Sequence, residues 1–191
     1  ASASPRRREL LEQLGIAFTV QPADVDETPR QGERPAQLVL RLACAKAEAA
    51  RKFAAPGQWV LGADTVVALD DDILGKPADR ESATDMLARL SGRSHSVYSG
   101  IALARAGFDT RSLSVKSCVW MRSIGAAELE AYVATGEPLG KAGGYAVQGR
   151  AAAFVRCLAG SYSNVVGLPL YELHALLREV PDPPTVVAPK P

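Results

Sequence analysis

A chain of 191 residues, 47% hydrophobic and 23% charged, has the size and composition of a globular protein with a full apolar core. A formal net charge of +1 excludes a general nucleic-acid or membrane-binding footprint, so any basic patch must be local. No apolar run approaches the roughly 18 residues of a bilayer span and no signal peptide is visible, while Cys44, Cys118 and Cys157 lack metal-ligand spacing and read as reduced core thiols of a cytoplasmic protein.

The chain opens on Ser2-Ala3-Ser4-Pro5-Arg6-Arg7-Arg8, which predicts a helix over 5–14 with Ser4 as N-cap, Pro5 at the first helical position and Gly15 as the stop. Helix N-termini carry unpaired N–H groups and the positive end of the dipole. Arginines in that first turn run against the usual acidic preference, which points to a bound anion. A short strand is expected around 18–21. A loop over 22–34 follows, holding Asp24, Asp26 and Glu27.

A helix over 35–53 places Leu38, Leu42 and Ala45 or Ala49 on one face. Lys46, in so apolar a run, either snorkels outward or points into a cleft. Residues 59–61 form a strand candidate running into Gly62-Ala63-Asp64-Thr65, which puts Asp64 at a strand terminus. There it either caps a turn or offers a carboxylate to a ligand. Residues 66–74 suggest a hairpin whose tip, Asp70-Asp71-Asp72, reads as polar rather than metal-binding. Lys76 follows in the turn Leu74-Gly75-Lys76-Pro77.

Further on, a helix is expected over 80–90, a long hairpin pairing 96–105 with 111–121, and a helix over 125–135 stopped by Gly136. A glycine-rich loop, 140–149, leads to a strand near 153–158 and a last helix over 169–179. Residues 1–180 read as one domain, and 181–191, with five prolines, as a disordered tail. Hairpins together with helical crossovers indicate an α/β fold with a mixed sheet.

The usual nucleotide signatures are missing. Gly136-Glu137-Pro138-Leu139-Gly140-Lys141-Ala142 is one residue short of a P-loop and lacks its Ser/Thr, and no dinucleotide fingerprint follows a strand. His95 and His174 are isolated and read as structural or surface residues. What remains is a set of charges at element ends, with Gln148 in a glycine-rich loop offering both donor and acceptor to a base edge. Arginines and lysines suit a polyphosphate, and carboxylates suit a divalent cation and an attacking water.

This set resembles the Maf family of nucleoside triphosphate pyrophosphatases, also called septum-formation inhibitor-like proteins. The resemblance rests on Ser2-Ala3-Ser4-Pro5-Arg6-Arg7, Gly62-Ala63-Asp64-Thr65, Gly75-Lys76-Pro77, Leu90-Ser91-Gly92-Arg93, the run from Lys141 to Gly149, and Asn164-Val165-Val166-Gly167-Leu168-Pro169. It implies an α/β fold of two lobes around a central cleft, similar to the inosine triphosphate pyrophosphatases. It also implies hydrolysis of a nucleoside triphosphate to monophosphate and pyrophosphate with Mg²⁺, Mn²⁺ or Co²⁺. Asp64, Lys76, Lys46 and Glu27 fall at catalytic positions, Asp64 and Glu27 at metal-holding ones. Ser2, Arg6, Arg7, Thr65 and Gln148 fall at substrate-binding positions.

Arg6, Thr65 and Gln148 match the branch acting on dTTP and UTP, whereas the sister branch acting on 7-methyl-GTP tends to Trp, Gln and Glu there. Two departures stand out. The family's first strand precedes the point where this sequence starts, and Gly140 replaces an acidic residue found in many relatives. The rival readings are a 7-methyl-GTP or non-canonical purine pyrophosphatase and a non-catalytic nucleotide-binding regulator of cell division. No nucleic-acid partner is expected, aromatic residues being only 6%. A homodimer is compatible with the sequence.

Overall fold

The computed structural model describes residues 2, 4–70 and 72–186. Ala1 and Ala3 of the opening motif, Asp71 of the acidic tip and residues 187–191 of the proline-rich tail lie outside the described residues. Five strands and six helices follow in the order α1 (Pro5–Gln13), α2 (Pro35–Arg51), β1 (Val60–Leu69), β2 (Asp72–Leu74), α3 (Arg80–Leu90), β3 (Ser94–Arg105), β4 (Phe108–Met121), α4 (Ala126–Ala134), β5 (Val155–Ala159), α5 (Tyr162–Val166) and α6 (Leu170–Arg178), with short 3-10 turns at Ala142–Gly144 and Arg150–Phe154.

The strands form one sheet in the order β2-β1-β3-β4-β5. Its helices flank it as an α/β fold should, but each pairing among the described residues is antiparallel, so the sheet is not mixed as expected. The physical reason lies in the hairpins: β1–β2 and β3–β4 turn tightly, and the crossover helix α3 returns the chain to an antiparallel neighbour of β1. The expected strand at 18–21 is extended chain outside the ladders. The helix α5, which periodicity did not announce, is a short turn capped by Ser161, whose side chain accepts from the Asn164 N–H at 3.3 Å.

Helix α2 lies close on the sheet because two glycines make room for it. A β-carbon on Gly62 would come 2.1 Å from the Ala43 carbonyl oxygen, and one on Gly100 would come 2.1 Å from that of Val39. The helix therefore packs backbone against backbone over β1 and β3. Its buried stripe, Val39, Leu42, Ala43, Lys46, Ala47 and Ala50, includes the lysine.

Two smaller apolar clusters lie under α2, and the two largest share the sheet. One gathers Leu10 with Leu168, Leu173, Leu176 and Leu177 over Ala63, Ile101 and Leu103. The other gathers Leu87, Leu90, Leu129, Tyr132, Tyr145 and Phe154 over Val67, Val97 and Val119. A cleft opens between them. The start of the proline-rich stretch is docked rather than free: the Pro181 carbonyl accepts from Trp59 Nε1 at 3.0 Å, and Val186 packs on the first core. The three cysteines are free thiols: Cys44, half-buried, packs against a core of alanines under α2, Cys118 is half-buried, and Cys157 is exposed on the outer strand, contrary to the core position expected of it. Among the described residues no helix is long and apolar enough to cross a membrane.

Candidate active site

The cleft has a volume of about 340 Å³ and joins α1, β1, the loop after β2 and the glycine-rich loop. Asp64 and Lys46 meet at its base. Asp64 was expected at a strand end, yet β1 runs on through Leu69, because Val66–Leu69 continue the apolar run and Val66, Val67 and Ala68 pair with β3 in unbroken register. The carboxylate is exposed to the cleft for another reason. β2 pairs only with the end of β1, from Val67 onward, and so leaves the Asp64 stretch uncovered by β2.

Lys46 resolves its two readings by turning inward. Its Nζ donates to Asp64 Oδ1 at 2.6 Å and lies 2.5 Å from Glu27 Oε1, with the Lys46 and Asp64 side chains only 8% and 10% exposed. One ammonium thus holds two carboxylates together. Burial alone would oppose ionisation of Glu27, but the Lys46 hydrogen bond and charge, with Lys76 and Arg7 behind them, hold its carboxyl below the ordinary value. Lys76 Nζ sits 3.9 Å from the other Glu27 oxygen, 61% exposed.

The loop that carries Glu27 is fastened to α2 by a residue that sequence reasoning passed over. Arg41 forks onto Glu33 at 2.7 and 2.8 Å and also donates to the Thr28 carbonyl at 3.0 Å. Val25 packs on Leu38 and Leu42 of the same helix. Asp26, grouped with Glu27 in the sequence, instead accepts from the Thr28 N–H at 2.9 Å and forms part of the turn.

Arg6 and Arg7, neighbours in sequence, have different surroundings. Arg6 lines the cleft and makes no hydrogen bond or ion pair among the described residues; burial lowers its pKa, with Glu9, Tyr132 and Glu137 opposing that. Arg7 is engaged by the protein on every side. Nε donates to the Gly167 carbonyl at 2.8 Å, Nη1 to Ser2 Oγ and the Ala63 carbonyl at 2.9 Å each, and Nη2 to Thr65 Oγ1 at 3.0 Å. Thr65 Oγ1 also lies 2.8 Å from Ser99 Oγ and 3.2 Å from the Gly167 carbonyl. Arg7, Ser2 and Thr65 thus tie α1 and β1 to the turn after α5. Below them Asn164, fully buried, donates to the Val97 carbonyl and to Ser117 Oγ.

Ser4 occupies the N-cap of α1 without a side-chain capping bond, and Ser4, Pro5 and Arg6 all line the cleft. The helix start therefore presents uncapped N–H groups there, the arrangement that suits an anion. Gln148 is exposed and lies outside the residues lining the cleft, although Gly140, Ala142 and Tyr145 of its loop are within it. The flanking members of the acidic tip pair with arginines, Arg93 on Asp70 at 2.7 Å and Arg89 on Asp72 at 2.5 Å.

No group of three His, Cys, Asp or Glu side chains able to hold a metal occurs among the described residues. Two converging carboxylates, Asp64 and Glu27, nevertheless suit a hard cation that keeps most of its waters and takes further oxygens from phosphate. A second trough of about 400 Å³, lined by Leu11, Ile16, Phe18, Trp59, Leu103 and Leu173 among others, has no such pair of carboxylates.

The family model for Maf-like protein matches residues 1–180. The chain belongs to that family. Curated Maf relatives align along nearly its full length. A dTTP/UTP pyrophosphatase from Pelotomaculum thermopropionicum is 51% identical over 180 residues, covering 94% of each chain. One from Myxococcus xanthus is 54% identical over 178 residues, covering 93% of this chain and 89% of its own. A third, from Sphingopyxis alaskensis, is 50% identical over 184 residues and 96% of each.

Proposed function

We propose that this chain is a cytoplasmic nucleoside triphosphate pyrophosphatase acting on dTTP and UTP, releasing the monophosphate and pyrophosphate. The observation that carries the reading is the Lys46 ammonium between Asp64 and Glu27, at the base of a cleft that also receives Arg6, Lys76 and the start of α1. Relatives with about half their residues identical bear the name dTTP/UTP pyrophosphatase, which supports the substrate choice.

Arg6, Lys76 and the first-turn N–H groups hold the triphosphate. Asp64 accepts a proton from water as that water attacks the α-phosphorus, the bond to the bridging oxygen breaks, and pyrophosphate departs. Lys46 keeps Asp64 aimed through their hydrogen bond, and Lys76 offsets charge on the departing phosphates. Asp64 and Glu27 would hold a divalent cation, Mg²⁺, Mn²⁺ or Co²⁺, which when bound neutralises phosphate charge and makes water more acidic. Arg7 and Thr65 shape the wall from within, and Arg6, which lines the cleft, biases the choice of base.

A panel of nucleoside triphosphates with each of the three cations, scored for pyrophosphate, tests the reading. Turnover of dTTP and UTP above purine nucleotides is expected. Preference for 7-methyl-GTP would overturn the substrate assignment, and no turnover of any nucleotide would leave a binding regulator.

A further inference from the structure

His95 and Tyr145 are deeply buried titratable side chains beside the cleft for which the proposed reaction has no use. His95 lies on the face of β3 whose Val97 lines the cleft, since side chains two apart share a face. Only 4% exposed, it places Nε2 at 2.7 Å from Tyr145 Oη, the two rings meeting edge to face at 5.4 Å. Burial pushes the imidazole down to about 4, so it is neutral at neutral pH.

The hydrogen-bond count of this pair is uneven. Nδ1 of His95 has no hydrogen-bond partner among the described residues. If Nε2–H donates to the tyrosine, the phenolic proton is left over; if the tyrosine donates, an Nδ1–H is left over. A buried pair with a spare donor is a poor device for stability alone and invites another explanation.

The tyrosine anchors a loop. Gly143 and Gly144, at φ +68° and +72°, use the left-handed region to turn the main chain onto β1, where a β-carbon on Gly143 would come 2.9 Å from Val67 Cγ2. The Gly143 N–H donates to the Gly75 carbonyl at 3.0 Å, and the next residue is Lys76. His95, Tyr145, Gly143 and Gly75 thus form a continuous line of contacts from the middle of the sheet to the exposed lysine of the cleft.

We propose that His95 and Tyr145 are positioning residues, which hold the 141–149 loop and through Gly75 fix Lys76 for the triphosphate; the role rests on the pyrophosphatase reading above. His95→Leu and Tyr145→Phe lower kcat/KM for dTTP by about 10-fold, the scale expected of a sub-ångström displacement at a reacting centre. His95→Gln, whose amide nitrogen falls near the position of Nε2, recovers most of it. In a Lys76→Ala background Tyr145→Phe costs less than about twofold more, because both changes act through one group.

Hydrogen exchange over 140–149 accelerates in His95→Leu and Tyr145→Phe and stays slow in His95→Gln, with thermal unfolding confirming that each variant is folded. Additive losses with Lys76→Ala overturn the proposal, as does a His95→Gln variant no better than His95→Leu. A wild-type chain that hydrolyses no triphosphate overturns the pyrophosphatase reading instead. Unaltered loop exchange in Tyr145→Phe overturns the positioning role whatever the activity.

Discussion

The charges of the cleft fall into two sets held in opposite ways. Lys46 and Asp64 are buried on a helix and a strand, and with Glu27 they are paired with one another before any ligand arrives. Arg6 and Lys76 sit at a helix start and in a turn, one with no hydrogen bond or ion pair among the described residues and the other 3.9 Å from its nearest carboxylate. The first set is built in advance at the cost of desolvation, so its geometry is stiff. The second keeps its charge unspent, Arg6 half-buried on the cleft wall and Lys76 61% exposed in a turn that Gly143 holds. Chemistry that needs a fixed proton acceptor and spare positive charge for a polyphosphate calls for both.

Substitutions that separate the two sets should differ most in what they damage. Asp64→Asn removes the proton acceptor but keeps its shape, so turnover should fall by about 10² to 10⁴ while nucleotide binding persists. Pyrophosphate release beside equilibrium titration with dTTP checks this, and near-normal turnover would sink the assignment. Lys46→Met leaves two carboxylates converging without their cation and should cost about 3 kcal/mol of stability, read by denaturant unfolding. Lys76→Met should lower activity while moving stability by less than about 0.5 kcal/mol. Equal destabilisation by both lysine variants would erase the distinction between the sets.

Much of this was legible in the sequence. Helix starts, glycine stops and the long hairpin follow from local patterns, and Asp64, Lys46, Glu27, Lys76 and Arg6 converge as the motifs implied. The polarity of the sheet was not legible, because strand pairing is settled by long-range packing rather than by the strands' own residues. Nor were the partners of Arg7. Two adjacent arginines look alike in sequence, and only the turn at Gly167 and the hydroxyl of Thr65 make one of them an internal tie. Arg41 and His95 lacked a motif; their signals were a charge opposite a loop and a lone histidine in a strand. Gln148, prominent in sequence, stands outside the cleft lining.

Two smaller effects sharpen the contrast. Burial holds His95 at about 4 against an ordinary 6.5, so the unfolded chain binds the extra proton first as pH falls. The contribution of His95 to stability should therefore decline from about pH 6.5 to pH 4 and level off below, and His95→Gln should flatten the slope of pH-dependent unfolding in that window. Arg41→Ala should loosen the Glu27 loop and reduce kcat a few-fold, on the order of 1 kcal/mol of lost positioning, without changing the cation requirement. A steady-state comparison at saturating cation checks it.

The glycines beneath α2 work as a height gauge. Gly62 lies two residues before Asp64 and beneath the turn of helix that carries Lys46, so helix and strand cannot be spaced apart without stretching the contact between those two side chains. A methyl group at that point would meet main chain, which has no rotamer by which to yield. The separation of acid and ammonium is thus set by the absence of a single carbon atom, and the tolerance of the site for error is narrowest at a residue that bears no functional group at all.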